Sequence, residues 1–126
     1  MSELALIEAL MARYFDGLYH GDASALAEVL HPQAIYATAS GGTLLKLDLE
    51  AYLNRVRQRP SPASQGHLRT DQIVSIEWAG PVTAFVRAQC SIPGRSFIDF
   101  LTLVKTDQRW HIISKVFDFA EEPFRI

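Results

Sequence analysis

Between His67 and Phe119 the chain is divided into four strand-length stretches by connections only long enough for hairpins. The stretches run over about 67–78, 82–92, 95–106 and 109–119, each rich in β-branched and aromatic residues. Ala79-Gly80-Pro81, Pro93-Gly94 and Asp107-Gln108 join them. Connections this short permit only antiparallel neighbours, so the segment predicts an antiparallel sheet with sequential strand order.

Asp99 lies inside one of these strands, within Phe97-Ile98-Asp99-Phe100-Leu101-Thr102-Leu103-Val104. A buried carboxylate costs on the order of several kcal/mol unless it is paired, hydrogen-bonded or protonated. An acid in such a run is expected to face a polar pocket. With two-residue turns at Pro93-Gly94 and Asp107-Gln108, Asp99 falls opposite Ala88 on one side and Val116 on the other. Its face then collects Ala84, Val86, Ala88, Cys90, Leu101, Leu103, Trp110, Ile112, Ser114 and Val116, a set suited to lying beneath helices. The opposite face carries Phe85, Arg87, Ile98, Phe100, Lys115 and Phe117, too apolar for simple solvation and suited to pairing two copies of the chain. A slip of one residue would exchange the faces and bring Lys115 inside.

The N-terminal half reads as helices feeding this sheet. Leu4, Ile7, Leu10, Tyr14, Phe15 and Leu18 form a helical stripe that Ser2 can cap, with Gly21 as its stop. Asp22 caps a short second helix, Ala23 to Leu30, ended by His31-Pro32. A strand at Ala34–Ala39 turns at Gly41-Gly42, and Asp48 caps a third helix with Tyr52, Leu53 and Val56 on its apolar face. The proline- and serine-rich stretch 60–66 reads as a loop forming a rim. Three helices followed by a meander predict an α+β fold: a curved antiparallel sheet, as a cone or half-barrel, packed on the helices as one domain over 1–126.

Composition removes several classes of function. The net charge is −2 and there is no lysine-arginine run, so nucleic acid is not expected as a partner. One cysteine, Cys90, precludes an internal disulfide and a cysteine-based zinc site. No His-x-x-x-His spacing supports a metal, and no phosphate-loop or dinucleotide fingerprint occurs. Glu3 and Glu8 interrupt the first apolar pattern, which argues against a secretory leader, and no apolar stretch approaches membrane-spanning length. A cytoplasmic location follows by default.

Arg13-Tyr14-Phe15-Asp16-Gly17-Leu18-Tyr19-His20-Gly21-Asp22, followed by Leu30-His31-Pro32-Gln33-Ala34, resembles the opening of the nuclear transport factor 2-like superfamily. The ending, Asp99 to Lys105 and then Arg109 to Phe117, resembles its bacterial branch labelled "putative lumazine-binding", with polyketide cyclase-like members alongside. The resemblance spans essentially the whole chain and implies a cystatin-like roll: a cone of sheet wrapped on a long helix, with a pocket at the open end. Members include ketosteroid isomerase, scytalone dehydratase, polyketide cyclases and non-catalytic association domains, so the fold alone does not fix an activity.

In the isomerase-like members a first-helix tyrosine and a late-strand acid donate hydrogen bonds to a developing oxyanion. The resemblance puts Tyr14 and Asp99 in those positions. Thr38 stands where those enzymes carry their basic carboxylate, and a threonine cannot take a proton near neutral pH. His67 or His31 is left as a candidate base. Taken together, the chain is expected to hold a small apolar or heteroaromatic ligand without a cofactor. Tyr14, Tyr36, Tyr52, His67, Val86, Asp99, Leu101 and Val116 would line the site, and Tyr14 and Asp99 would carry any isomerase-, dehydratase- or cyclase-type acid–base chemistry. The alternative is a non-catalytic ligand-binding or dimerisation domain.

Overall fold

In the computed structural model, which describes residues 1–121, the chain runs α1 (Glu3–His20), α2 (Ala23–Val29), β1 (Leu30–Thr38), β2 (Leu45–Asp48), α3 (Leu49–Gln58), a 3-10 turn (Ala63–Gln65), β3 (Gln72–Trp78), β4 (Thr83–Ile92), β5 (Arg95–Thr106) and β6 (Arg109–Glu121). The expected caps are in place. The side chains of Ser2, Asp22 and Asp48 accept hydrogen bonds from the amides of Ala5, Ala25 and Ala51. Gly21, at φ +64°, closes α1, and the Asp22 amide donates back to the Gly17 carbonyl at 2.9 Å. Gly17 permits the tight α1–α2 corner, since a Cβ there would stand 2.8 Å from the Leu26 Cγ.

The six strands form one sheet in the order β2-β1-β6-β5-β4-β3. The fold is therefore α+β with a mostly antiparallel sheet, as the hairpin spacing indicated, but strand order is not sequential throughout. β1 runs parallel to β6 and completes the free edge of the β3–β6 meander. A connection as long as the one between these two strands imposes no antiparallel constraint. β1 also starts earlier than Pro32 suggested. The β1–β6 register shifts between Leu30 and Ile35, so the proline sits in a stretch outside the regular ladder. β3 begins only at Gln72, leaving 67–71 as an extended approach to the sheet.

Both tight hairpins have the expected two-residue turns, pairing Ile92 with Arg95 and Thr106 with Arg109. Asp99 lies opposite Ala88 as expected, but opposite Phe117 instead of Val116. The cause is a β-bulge: Leu103 pairs with Ile112 while Thr102 pairs with Ser114, leaving Ile113 as an extra residue on β6. Beyond the bulge every β6 side chain changes face. Val116, expected inside, is 44% exposed on the outer face, and Lys115, expected outside, is 7% exposed inside. Before the bulge, Trp110 and Ile112 point inward as the sequence suggested.

The core lies between α1 and the inner sheet face, where Ile7, Met11, Tyr14, Leu26, Val86, Leu101, Leu103 and Ile112 are fully buried. Glu3 anchors the start of α1 to the sheet, its carboxylate accepting from Lys105 Nζ and Trp110 Nε1, both at 2.6 Å. At the β5–β6 turn, Asp107 and Gln108 both have positive φ, +50° and +64°. This is the geometry that a two-residue hairpin turn requires and that side chains resist. Gln108→Gly is expected to raise stability by roughly 0.5–1 kcal/mol, relief of the left-handed strain exceeding the added unfolded-state entropy. Denaturant unfolding checks this; an unchanged or lower midpoint would show that the turn carries no such strain.

Candidate functional site

Lys115 is the group that organises the interior. Its strand neighbours are Leu101 on β5 and Tyr36 on β1, so it projects from the middle of the sheet. Asp99 stands diagonally across the β5–β6 ladder, within reach of a long side chain. The Lys115 Nζ lies 3.9 Å from the Asp99 Oδ2 and donates to the Tyr52 hydroxyl at 3.4 Å. From α1, the Tyr14 hydroxyl donates to the same Asp99 Oδ2 at 2.7 Å. Tyr14, Tyr52, Asp99 and Lys115 are all buried. The sequence separations of these contacts, 85 residues for Tyr14–Asp99 and 63 for Lys115–Tyr52, show that the network ties helices to sheet.

Aromatic rings enclose the ammonium. The ring centroids of Tyr52, Tyr14, Phe117 and Tyr36 lie 5.2, 5.3, 5.5 and 5.7 Å from Nζ, within cation–π range. Tyr36 and Tyr52 stack on each other with centroids 4.7 Å apart, and Phe117 tilts against Tyr36 at 5.0 Å. Burial is the largest influence on the Lys115 ammonium and opposes its charge. The Asp99 carboxylate, with the Tyr52 and Tyr36 oxygens, outweighs it and holds the lysine above its ordinary value. The Tyr14 phenol is held well above the ordinary tyrosine range, chiefly by burial and next by the Asp99 charge. Tyr14 is thus a lasting donor.

The expected site residues divide into those gathered here and those placed elsewhere. Tyr14, Tyr36, Tyr52 and Asp99 come together. Val86 and Leu101 face inward but pair with each other across β4 and β5 as solid core. Val116 is on the opposite face. His67 lies ahead of β3, where its carbonyl accepts from the Tyr19 hydroxyl. His31 packs edge-on against His111 with centroids 5.8 Å apart, and its Nδ1 accepts from the Gln33 amide. Burial, then the charges of Arg109 and His31, lower the His111 pKa. Thr38 is buried, its Oγ1 2.8 Å from the Ser40 hydroxyl, which donates on to Asp118. Lys115, which the sequence reading placed outside unless the register slipped by one residue, joins Tyr14, Tyr36, Tyr52 and Asp99, because the bulge on β6 supplies that slip.

Three recesses lie at or beside this interior; the largest, about 650 Å³, spreads openly across the ends of β3, β4 and β5, lined by Gln72, Gln89, Cys90, Ser91, Phe97 and Ile98 among others. One of about 10 Å³ lies against Lys115, Tyr36 and Tyr52. The wider of the two smaller recesses, about 50 Å³, opens between α1 and the end of β4, lined by Phe15, Leu18, Tyr19, Pro62, Leu68, Arg69 and Cys90 among others. Cys90 pairs with Phe97 and is the next inward residue after Ala88, the partner of Asp99. Burial, and next the Asp99 charge, push its thiol up to about 11. Over the wider recess Arg69 binds Asp16 at 2.7 Å and Asp71 at 3.0 Å, with its guanidinium 5.0 Å from the Tyr19 ring. Among the described residues no cluster of three or more His, Cys, Asp or Glu could hold a metal, and no helix is long and apolar enough to cross a membrane.

A six-stranded, mostly antiparallel sheet packed on three helices around a buried Tyr–Asp–Lys network is an NTF2-like fold. Residues 2–118 match the family described as "Putative lumazine-binding", and the chain belongs to that family. Among solved structures it resembles an NTF2-like protein of unknown function from Shewanella baltica OS155, with TM-score 0.84, 20% identity and 95% of each chain covered. An NTF-2-like protein of unknown function from Silicibacter pomeroyi DSS-3 is similar over 95% of this chain and 100% of its own, with TM-score 0.79 and 23% identity. Likeness at this identity establishes the fold. No curated protein matches the chain.

Asp99→Asn should destabilise the protein by about 3–5 kcal/mol, because it leaves the Lys115 ammonium buried without its counter-ion. Asp99→Asn combined with Lys115→Met should recover most of that loss in a double-mutant cycle; additive losses would mean the two groups are not coupled. The raised lysine sets the pH dependence. Its contribution is intact below 10.5, the ordinary lysine value, and is lost as pH rises through the higher folded value. Wild type should therefore lose stability above that point more steeply than Lys115→Met. Parallel alkaline unfolding curves would contradict the pairing.

Proposed function

We propose that the chain binds a small, largely apolar or heteroaromatic molecule inside the cone. The observation that carries this reading is a buried ion pair inside a ring of aromatics. Hydrophobic replacements of buried ion pairs are often neutral or stabilising, so stability alone gives little reason to keep one. Tyr14, Tyr36, Tyr52, Asp99 and Lys115 would meet the ligand, with Val86 and Leu101 as rigid backing. The wider recess is the route inward, since its floor at Cys90 adjoins Asp99 along the inner face. At about 50 Å³ it is far smaller than the roughly 300–1,000 Å³ of ordinary ligand sites, so binding requires the 60–71 segment to lift from α1.

Binding without turnover is favoured over acid–base catalysis. Tyr14 donates its proton to Asp99, Lys115 stands beside that same carboxylate, and Thr38 is engaged with Ser40. The polar groups near the ligand are thus committed to one another, and none is poised as a base. A cytoplasmic setting fits this reading, because Cys90 has no partner for a disulfide in the chain. Lumazine, whose name the family bears, is the natural probe. It should bind wild type with its fluorescence altered, and Tyr14→Phe should weaken binding by about threefold to tenfold, because the Asp99 carboxylate loses the hydrogen bond that fixes it beside Lys115. Absence of binding by lumazine, together with native mass spectra free of any co-purified molecule, would remove the proposal.

The outer sheet face supports an accompanying reading, a homodimer. Ile35, Phe100 and Val116 are 39%, 41% and 44% exposed, and Phe100 pairs with Val116 across the ladder. Phe85 packs on Phe100 at 5.4 Å, and Arg87 lies over the Phe100 ring at 5.0 Å. Glu77 and Arg87 both flank this patch, giving it opposite charges that a two-fold copy could match. Light scattering should report a dimer at micromolar concentration and a monomer for Phe100→Lys. A monomeric wild type would dismiss this arrangement and leave the pocket reading untouched.

A further inference from the structure

The aromatic contacts that enclose Lys115 continue outward along the sheet. Phe117, 5.5 Å from the lysine Nζ, lies 6.5 Å from Phe97, and Phe97 lies 5.3 Å from Phe119. The Arg95 guanidinium stands 4.5 Å from the Phe119 ring centroid. Cross-strand partners share a face, and Phe97 pairs with both Cys90 and Phe119, so these rings extend the inner face from Asp99 toward the β4–β5 turn. Unlike the core residues, all three are only half-buried. The result is an apolar track that leads from the buried ion pair past Cys90, the floor of the wider recess, and ends at a cation.

A second cation faces this opening from the helical side. Tyr52, Val56 and Arg59 follow one another at helical spacing along α3, with Arg59 as its C-cap. Burial is the main influence raising the Tyr36 and Cys90 pKa values, and the Arg59 charge opposes it at both. At Lys115, burial and the Arg59 charge act together against the ammonium. A charge felt on β1, β4 and β6 at once projects over the space between them. Among the described residues neither Arg59 nor Arg95 forms a salt bridge, although Glu121 stands opposite Arg95 in the ladder. Asp16 and Asp71 are held by Arg69, and deeper in Lys115 is balanced by Asp99. The track therefore has a balanced inner end, apolar walls and a positive outer end.

We propose that the cone takes an amphipathic monoanion, an apolar body bearing one carboxylate, with the body along Phe117, Phe97 and Phe119 and the carboxylate at the mouth between Arg95 and Arg59. This rests on the interior being a ligand site, as proposed above, and adds the polarity of the ligand and the direction in which it lies. Guanidinium groups suit the head, because their planar donors match a carboxylate and are less strongly hydrated than an ammonium. A single charge suits it, because α3 ends at Gln58 beside Arg59 and puts the negative pole of its dipole at the mouth. A carboxylate carried inward would stand beside Asp99, with one ammonium to balance two anions.

Octanoate, octanol and octylamine share one chain and differ in the charge of the head, and calorimetric titration of the full chain ranks them. At neutral pH and low salt, wild type should bind octanoate about tenfold more tightly than octanol, and octylamine most weakly. Added salt should shrink the octanoate preference, because charges at an exposed mouth are screened. Arg59→Gln combined with Arg95→Gln should bring octanoate down to the octanol affinity and leave octanol unchanged. Phe119→Ala should weaken all three chains alike, since it removes apolar surface that the body covers. Equal binding of octanoate and octanol by wild type overturns the assignment, as does a preference that survives loss of both arginines; either leaves the interior standing as a ligand site. If none of the three chains binds, this inference falls alone when lumazine still binds. It falls with the reading beneath it when lumazine and native mass spectra are negative as well.

Discussion

The approach of the Lys115 ammonium to the Asp99 carboxylate, 3.9 Å apart in the middle of a six-stranded sheet, is the contact around which the interior is arranged. At that separation the attraction is about 4 kcal/mol in a medium of intermediate effective dielectric. Removing each ion from water costs several kcal/mol, of the same order. The pair therefore comes near to breaking even, and its effect is to fix positions. Tyr14 is drawn to the carboxylate from α1, Tyr52 to the ammonium from α3, and Tyr36 and Phe117 face the ammonium from the sheet. α1, α3, β1 and β6 thus each contribute an aromatic ring to the same small volume.

A single extra residue makes this possible. β6 is an interior strand, flanked by β5 and β1, and without the bulge at Ile113 it would present Ser114 and Val116 inward. Asp99 would then meet small and aliphatic side chains with no cation. The bulge exchanges the two faces only over the second half of β6, so Trp110 and Ile112 still complete the core near the β5–β6 turn. It also puts Val116 beside Phe100 on the outside, so the polarity of the interior and the apolar character of the outer face share one cause.

This explains which parts of the structure were readable beforehand. Capping residues, hairpin turns and apolar periodicity are local signals, and they located α1, α3, β4 and β5 and the pairing of Asp99 with Ala88. Tyr14 and Asp99 followed from a resemblance, and the structure joins them directly. The bulge has no comparable mark. Ile112-Ile113-Ser114 fits a regular strand as well as a bulged one, and the choice depends on how β5 and β1 pack on either side. The inward turn of Lys115 was for that reason visible only as the outcome of a one-residue slip, which the bulge supplies. The parallel β1–β6 pairing was hidden for a related reason: it joins segments separated by most of the chain, where no turn chemistry constrains direction.

The interior and its access differ in stiffness. The ionic network is buried on all sides, and loosening it would strand charges away from water. The segment covering the wider recess is held by contacts of another kind: the half-exposed pair of Arg69 with Asp16, a hydrogen bond from Tyr19 to the His67 carbonyl, and at its far end the exposed hydrogen bonds of Thr70 with Ser91 on β4. Exposed ion pairs contribute about 0–1 kcal/mol each, so lifting this strap is inexpensive beside disturbing the network. A molecule entering the cone would therefore meet a yielding rim and then a fixed array of donors, a carboxylate and ring faces. The rim would govern the size admitted, and the array its orientation, with Cys90, beside Asp99 on the inner face, marking the passage from one to the other.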